Sequence, residues 1–375
     1  MAESRARLVS LSLKDFRNFE RLEMSLPAEG LVVVGENGQG KTNLLESAYY
    51  LSLLRSVRGT RDADVVRFGA DSFFVDSEMC VPDAHHISIG FERTTRRKRV
   101  RRDDLVVDRL SDALGTLPAV MFSPSDVALV AGAPSARRRF LDIMLAVTSR
   151  GYLHALQRYR AALERRNVTL REVAKAGAHP KTAAIEVWEG PLAEHGATLV
   201  RTRRAWVKQV AGKFAERCAA IGERGEIELR YESTVNANAE SVELALAEAI
   251  AAKRSMDLRL GLTHAGPHRD DLTLLLDRRE LRAFGSAGQQ RTAAIALRTL
   301  EAETLREARG ASPVFLLDDP FAELDAGRAA RVLKLLHEVG LGQSVLAVPR
   351  DSDIPPELTN LERRRIVSGR VEPMS

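Results

Sequence analysis

Leu31-Val32-Val33-Val34-Gly35-Glu36-Asn37-Gly38-Gln39-Gly40-Lys41-Thr42 is the stretch that decides the fold. Four consecutive apolar residues, three of them β-branched, spell a strand buried on both faces, as in a parallel sheet. Gly35 to Thr42 then fits G-x-x-x-x-G-K-[ST]. From about Lys41 to Leu54 a helix is expected, with Leu44, Leu45, Ala48 and Leu51 on one face. Strand, glycine-rich turn and helix in that order make a phosphate cradle. The glycines let backbone N–H groups curl around β- and γ-phosphates, and the helix N-terminus adds a favourable dipole. Lys41 would neutralise phosphate charge, and the Thr42 hydroxyl is placed to ligate Mg²⁺. Gly35, Glu36, Asn37, Gly38, Gln39, Gly40, Lys41 and Thr42 are therefore the expected contacts to ATP. A chance glycine-rich turn is the competing reading, and the flanking strand and helix argue against it.

Working outward, Pro313-Val314-Phe315-Leu316-Leu317-Asp318-Asp319 is a hydrophobic strand ending in two acids. Such a strand, taken alone, commonly just enters a loop; with the phosphate loop it becomes the second half of a nucleotide site. Asp318 would hold Mg²⁺ through water and Asp319 would polarise the attacking water. An Asp in the base position is one methylene shorter than a Glu, so the expected hydrolysis is slow, a timing switch. Phe284-Gly285-Ser286-Ala287-Gly288-Gln289-Gln290-Arg291 opens a helix, where Ser286, Gly288 and Gln289 would form a second anion-binding turn. One chain does not need two such turns for the same phosphates. In ATP-binding-cassette proteins a turn of this kind completes the site of a second subunit. An ordinary helix cap is the plainer reading of that turn by itself. Phe321-Ala322-Glu323-Leu324-Asp325 follows the acidic pair and reads as the loop through which two paired sites communicate, with Asp325 as the communicating residue.

Composition bounds the rest. The chain has 375 residues, 45 % apolar and 29 % charged, enough to bury a core and too apolar for disorder. Only 5 % is aromatic, which argues against base-stacking platforms for single strands. Cys80 and Cys218 are too few for a disulfide framework or a cysteine zinc site, and a reducing, cytoplasmic setting is expected. No apolar run approaches the roughly 20 residues of a membrane helix. The net charge of +5 is a mild bias toward polyanions, and an arginine-rich composition accounts for much of it. Residues 8–13 read as a short alternating strand, and 65–122 as strand-rich with Gly and Pro punctuation. Residues 125–260 keep a helical period, broken by loop chemistry at Gly177–Pro180 and Gly222–Gly225, with some strand near Ile227–Tyr231. The expected fold is α/β: a phosphate-loop ATPase head of the ABC type with a largely helical inserted lobe. The ATPase parts span 1–124 and 261–375, the insertion spans 125–260, and the absence of a long heptad array excludes a long coiled coil.

These ordered motifs resemble the RecF family, bacterial recombination mediators built on a cassette ATPase head like that of SMC proteins. Leu13-Lys14-Asp15-Phe16-Arg17-Asn18-Phe19 resembles the N-terminal element of that wider class. More specific are Gly38–Glu46, Leu53–Arg58, Phe122–Asp126, Gly132–Asp142, Gly266–Leu272 and Phe284–Thr292, which span nearly the whole chain. The resemblance implies an ATP-dependent homodimer on double-stranded or gapped DNA. It also implies work in recombinational repair, RecR and RecO as partners, and RecA loading as the outcome. Two features depart from the family pattern. Leu346–Asp351 supplies no switch residue, and no glutamine marks a Q-loop.

DNA contacts are sought in Arg96, Arg97, Lys98, Arg99, Arg101 and Arg102, six basic residues within seven, and in Arg201 and Arg204, which cluster with Arg203 and Lys208 on a helix. A solvated hairpin tip and a solvated helix face are the competing readings. Arg137-Arg138-Arg139 could touch phosphate or start a helix with internal ion pairs. His264, His268, Asp270 and Asp271 lack a standard zinc or magnesium spacing, and a hydrogen-bond network is expected there. Two rival functions stay open: a transporter-type cassette subunit, and a scaffold that binds ATP with little hydrolysis.

Overall fold

The computed structural model describes residues 4–176, 183–235, 241–322 and 324–374. The loop expected at Gly177–Pro180 and Glu323 of the communication loop lie outside the described residues. The chain divides into two compact units. The first contains Met1–Val127, Arg217–Glu223 and Ala294–Ser375, and the second Ala128–Glu216 and Arg224–Ala293.

In chain order the strands of the first unit are β1 (Arg7–Leu8), β2 (Ser10–Phe16), β3 (Phe19–Ser25), β4 (Gly30–Val34), β5 (Ser72–Val81), β6 (Asp83–Glu92), β7 (Arg97–Arg102), β8 (Leu105–Val106) and β9 (Ala119–Phe122). The second unit contributes β10 (Ile227–Glu232), β11 (Asp271–Leu276) and β12 (Arg279–Glu280); the first resumes with β13 (Val314–Asp318), β14 (Ser344–Val348), β15 (Glu362–Val367) and β16 (Arg370–Pro373). Among the described residues the seven long helices are α1 (Lys41–Leu53), α2 (Pro134–Thr148), α3 (Arg150–Ala176), α4 (Glu189–Ile221), α5 (Val242–Leu260), α6 (Ala287–Arg309) and α7 (Ala326–Glu338).

One sheet of the first unit runs β16-β15-β4-β14-β13-β9, parallel except for the edge strand β16. Every residue of β4, β9, β13 and β14 is buried, as continuous apolar runs require when both faces of a sheet are covered. Ligands of open parallel sheets gather at the carboxyl ends of the strands. Those ends here carry Gly35 after β4, Ser123 after β9, Asp319 after β13 and Pro349 after β14.

The other sheet is antiparallel, ordered β3-β2-β5-β6-β7-β8 with β1 paired to β5. Its inner row places Leu22, Leu13, Val75, Ile89 and Val100 opposite one another, all buried. Phe16, Tyr50 and Phe73 meet edge to face at 5.5–5.9 Å, fixing α1 against this sheet.

In the second unit α2–α5 accompany the small sheet β10-β11-β12. Ser241 caps α5 by accepting from the Leu244 N–H, and Gly261, at φ 67°, ends it. Here the boundaries differ from those expected. The helical period fades at 260, but Ile227–Glu232 pairs antiparallel with Asp271–Leu276, which keeps residues 261–293 with the second unit. The chain returns to the first unit only within α6, at Ala294, and Arg217–Glu223 at the end of α4 also belong there. The longest described helix, α4, has 33 residues, and among the described residues there is no long coiled coil.

Candidate nucleotide-binding site

The carboxyl ends of β4 and β13 flank that of β14, and a cavity of about 420 Å³ lies there. The phosphate loop and start of α1 contribute Asn37, Gly38, Gly40, Lys41 and Thr42, and the end of β13 contributes Asp318 and Asp319. Asn43, Arg58, Pro124 and Pro349 complete the lining. The Thr42 hydroxyl donates to Asp318 Oδ1 at 3.2 Å, bringing together residues 276 apart in sequence. Lys41 Nζ donates to the backbone oxygens of Gly35 and, at 2.9 Å, Glu36. Asp319 has φ 46°, an unusual backbone for a residue with a side chain, and its N–H donates to the Ala347 oxygen at 2.9 Å.

Burial dominates the site's electrostatics. Desolvation lowers the Lys41 pKa, against the pull of Asp318 and Asp319. Desolvation raises that of Asp318, against the Thr42 hydrogen bond, Lys41 and Arg58. A half-enclosed carboxylate whose charge is disfavoured, beside a hydroxyl that can ligate, is a donor pair suited to a divalent cation. The residues present therefore fit Mg²⁺, which Thr42 and Asp318 would hold.

Three expected contacts do not line the cavity. Gly35 and Glu36 serve it through the carbonyls that hold Lys41. Gln39 turns its side chain to Ser368, whose N–H donates to Gln39 Oε1 at 2.7 Å. Nothing in the sequence alone assigns a role at the site to Arg58, Asn43, Pro124 or Pro349. Arg58 lies in the Leu53–Arg58 motif, but spacing does not reveal its partner Glu46. Glu46 is fully buried on α1 and accepts from Arg17 Nη2 at 2.8 Å, Arg17 Nε at 3.0 Å and the Ser56 hydroxyl at 2.6 Å. Arg58 approaches it at 3.5 Å and donates to Asn43 Oδ1 at 3.1 Å.

Ser286 and Gln289 cap α6 reciprocally: the Ser286 N–H donates to Gln289 Oε1 at 2.8 Å and the Gln289 N–H to Ser286 Oγ at 3.3 Å. Ser286 is exposed, as is nearby Phe284 at 71 %. Asp325 is the N-cap of α7, accepting from the Arg328 N–H at 2.8 Å. The turn after β9 lines the cavity with Pro124. Two residues on, Asp126 caps Ser123 N–H at 2.8 Å and pairs with Arg298 of α6 at 2.6 Å.

The basic run is largely strand β7, so its side chains alternate. Arg97, Arg99 and Arg101 are exposed on one face, with Arg97 opposite Glu92. Lys98 does not belong with them: it turns inward to Asp62 at 2.6 Å and the Leu54 oxygen at 2.7 Å, over the Tyr50 ring. Arg96 is exposed in the preceding turn, and Arg102 approaches Asp103 at 3.7 Å. On α4, Arg201 is exposed, whereas Arg204 donates to the Val235 oxygen at 3.0 Å and Arg203 is not on the surface at all: it is buried, donating to Asp142 Oδ1 at 2.7 Å. Arg137 takes the internal reading, donating to Asp271 at 2.8 and 2.7 Å. The His264–Asp271 segment is a hydrogen-bond network: His264 faces Asp257 at 2.8 Å, and His268 joins Tyr159 at 2.6 Å and the Thr263 oxygen at 3.0 Å. No metal-holding cluster of His, Cys, Asp or Glu occurs among the described residues.

A phosphate loop beside an acid-ended strand, in a mostly parallel sheet accompanied by an antiparallel one, defines an SMC-type ABC ATPase head. Residues 7–348 match the RecF/RecN/SMC N terminal domain. The chain belongs to the RecF family of DNA replication and repair proteins. It is 34 % identical to RecF of Ligilactobacillus salivarius, over 97 % of each chain, and 35 % identical to RecF of Frankia alni, over 97 % of this chain and 98 % of that one. A solved structure of the recombination mediator RecF with ATP superposes with a TM-score of 0.90 at 27 % identity, covering 100 % of this chain and 99 % of that one. The SMC head of Pyrococcus furiosus, at 17 % identity and a TM-score of 0.55, shares the fold.

Proposed function

We propose that this protein is a nucleotide-switched, dimeric DNA clamp of recombinational repair and replication. The observation that carries the reading is the Thr42–Asp318 contact at 3.2 Å beside buried Lys41, an arrangement that serves a nucleoside triphosphate with Mg²⁺. Lys41 would exchange two loop carbonyls for phosphate oxygens. Thr42 and Asp318 would hold the cation, which neutralises phosphate charge when bound. Asp319 would orient the attacking water, and its short side chain fits slow turnover. The membership and the solved RecF–ATP structure support ATP as the nucleotide and RecO and RecR as partners.

The exposed Ser286–Gln289 turn would meet the phosphates held by a second copy, with Asp325 near the shared edge. ATP then becomes a ligand that stabilises the dimer, and linkage requires dimerisation to raise ATP affinity by the same factor. Arg97, Arg99 and Arg101, with Arg96, Arg102 and Arg201, are the phosphate contacts proposed for duplex or gapped DNA. Lys98 and Arg204 are not among them, since both serve internal partners. Recognition would be of the backbone, without base readout. Sedimentation velocity tests the dimer: wild type is expected to dimerise with ATP and not with ADP, while Lys41→Ala and Ser286→Arg stay monomeric with ATP. A Ser286→Arg protein that dimerises with ATP as wild type does would refute the sandwich.

A further inference from the structure

We propose that Gln39 is a positioning residue through which two β-hairpin turns set the shape of the phosphate loop; the proposal rests on the nucleotide reading above. Inside the loop the restraints include the Lys41 contacts to the Gly35 and Glu36 oxygens, which phosphate would displace, and a long Gln39 N–H bond to the Glu36 oxygen at 3.5 Å. Gly38 and Gly40, on either side of Gln39, have φ of 82° and 119°, and Gly40 caps α1 without a side-chain hydrogen bond. Glycine loses more freedom on being fixed than any other residue, so a loop of this composition needs restraint from outside.

The restraint comes from two directions. Ser368 and Gly369 join β15 to β16 with φ of 48° and 77°, the consecutive left-handed pair of a type I′ turn. Both of their N–H groups face Gln39. That of Ser368 donates to Gln39 Oε1 at 2.7 Å, and that of Gly369 to the Gln39 backbone oxygen at 3.0 Å. From the turn between β2 and β3, Asn18 Nδ2 donates to the same backbone oxygen at 3.0 Å, while Asn18 Oδ1 accepts from Asn43 at 2.8 Å. The two turns also touch. A Cβ on Gly369 would lie 2.7 Å from the Asn18 backbone oxygen, and one on Gly40 would lie 2.5 Å from Asn18 Nδ2. The one non-glycine between the two left-handed glycines is thus gripped at both its side chain and its carbonyl. Its neighbours on both sides line the cavity, and it does not. The grip holds the loop in the form that presents its N–H groups to phosphate, a restraint otherwise supplied at the moment of binding.

Fluorescent-ATP titration of the full chain tests this with Gln39→Met, Ser368→Ala, Ser368→Pro, the Gln39→Met/Ser368→Pro double variant, and Lys41→Ala. Loss of one such hydrogen bond is expected to weaken ATP binding by roughly 5- to 10-fold in Gln39→Met. The nucleotide-free unfolding midpoint should stay at the wild-type value. Ser368→Ala should bind nearly as wild type, because the short donor to Gln39 Oε1 is the backbone N–H at 2.7 Å and the hydroxyl reaches it only at 3.5 Å. Ser368→Pro, which lacks that N–H and cannot adopt positive φ, should weaken binding at least as much. The double variant should be no weaker than Ser368→Pro, the non-additivity of two ends of one contact. Saturable wild-type binding with Gln39→Met at wild-type affinity would overturn the positioning role and leave the nucleotide reading standing. Additive losses in the double variant would overturn the coupling between the turn and the loop. A wild type that shows no more saturable binding than Lys41→Ala would overturn the nucleotide reading, and this inference with it.

Discussion

Arg298 offers the sharpest test of how the nucleotide pocket is braced. Its guanidinium donates to Asp126 Oδ1 and Glu301 Oε2, both at 2.6 Å, with 12 % of its side chain exposed against 12 % and 2 % for the partners. Arg298→Met therefore strands two carboxylates in a poorly solvated place. Breaking one buried pair in this way costs about 3–5 kcal/mol. In a domain of roughly 200 residues each kcal/mol moves Tm by about 2–4 °C, so a drop of about 10 °C is expected. Burial already holds the Glu301 carboxyl above its ordinary value, and Arg298 opposes that shift. Without Arg298 the shift grows, so the folded variant binds more protons than its unfolded chain. That proton-linked stability is present at low pH and lost as pH rises, so the deficit against wild type is larger at pH 7.5 than at 5.5. Urea unfolding at the two pH values, with Asp126→Asn/Arg298→Met/Glu301→Gln as the neutralised control, measures this. A deficit below ~1 kcal/mol at pH 7.5, or one independent of pH, would show that the bracing argument is wrong.

Other outcomes can be stated more briefly. Saturating ATP with Mg²⁺, at about 100 times Kd, should stabilise wild type by about 2.7 kcal/mol in thermal unfolding, and Lys41→Ala should lose that gain. Asp318→Asn should be at least as stable as wild type without nucleotide, because burial disfavours the Asp318 charge; calorimetric titration should find its ATP binding no longer responsive to Mg²⁺. Burial pushes His268 down to about 4, and its ring accepts from Tyr159 while donating to the Thr263 oxygen, which needs the neutral form. The unfolded chain takes up that proton first as pH falls below about 6.5, so stability should decline by up to about 3 kcal/mol between there and about 4. Denaturant unfolding of His268→Gln should show that slope flattened. Lys98→Ala should cost about 1–3 kcal/mol of stability with DNA affinity unchanged. Arg97→Glu/Arg99→Glu/Arg101→Glu should do the reverse, reducing the salt slope of duplex binding by about 3.

The phosphate loop, α1 and the acid-ended strand were legible because their signals are local: a buried apolar run, a fixed spacing, a helical period. The β10–β11 pairing was not, since Ile227 meets Leu276 only through long-range registration; the helical period ends at 260 whereas the second unit runs to 293. Basic side chains hid the alternation of β7. Six charges in seven residues look like a uniform patch, and only the strand's two faces show that Lys98 points to Asp62. Gln39 lies within a motif whose spacing says phosphate contact, yet its side chain is claimed by Ser368, 329 residues away. Glu46 and Arg58 carry no periodic signal at all. Their meaning is the ion pair they form, which joins buried Glu46 to Arg58 of the cavity lining.

Fluorescence anisotropy on a short duplex, with ATP, with ADP, and for Lys41→Ala with ATP, tests the central claim most directly. The account predicts tight, salt-sensitive binding for the wild type with ATP alone, and weak binding in the other two states. Equal binding in all three would mean that the basic surface acts without the nucleotide, and the switch would be refuted.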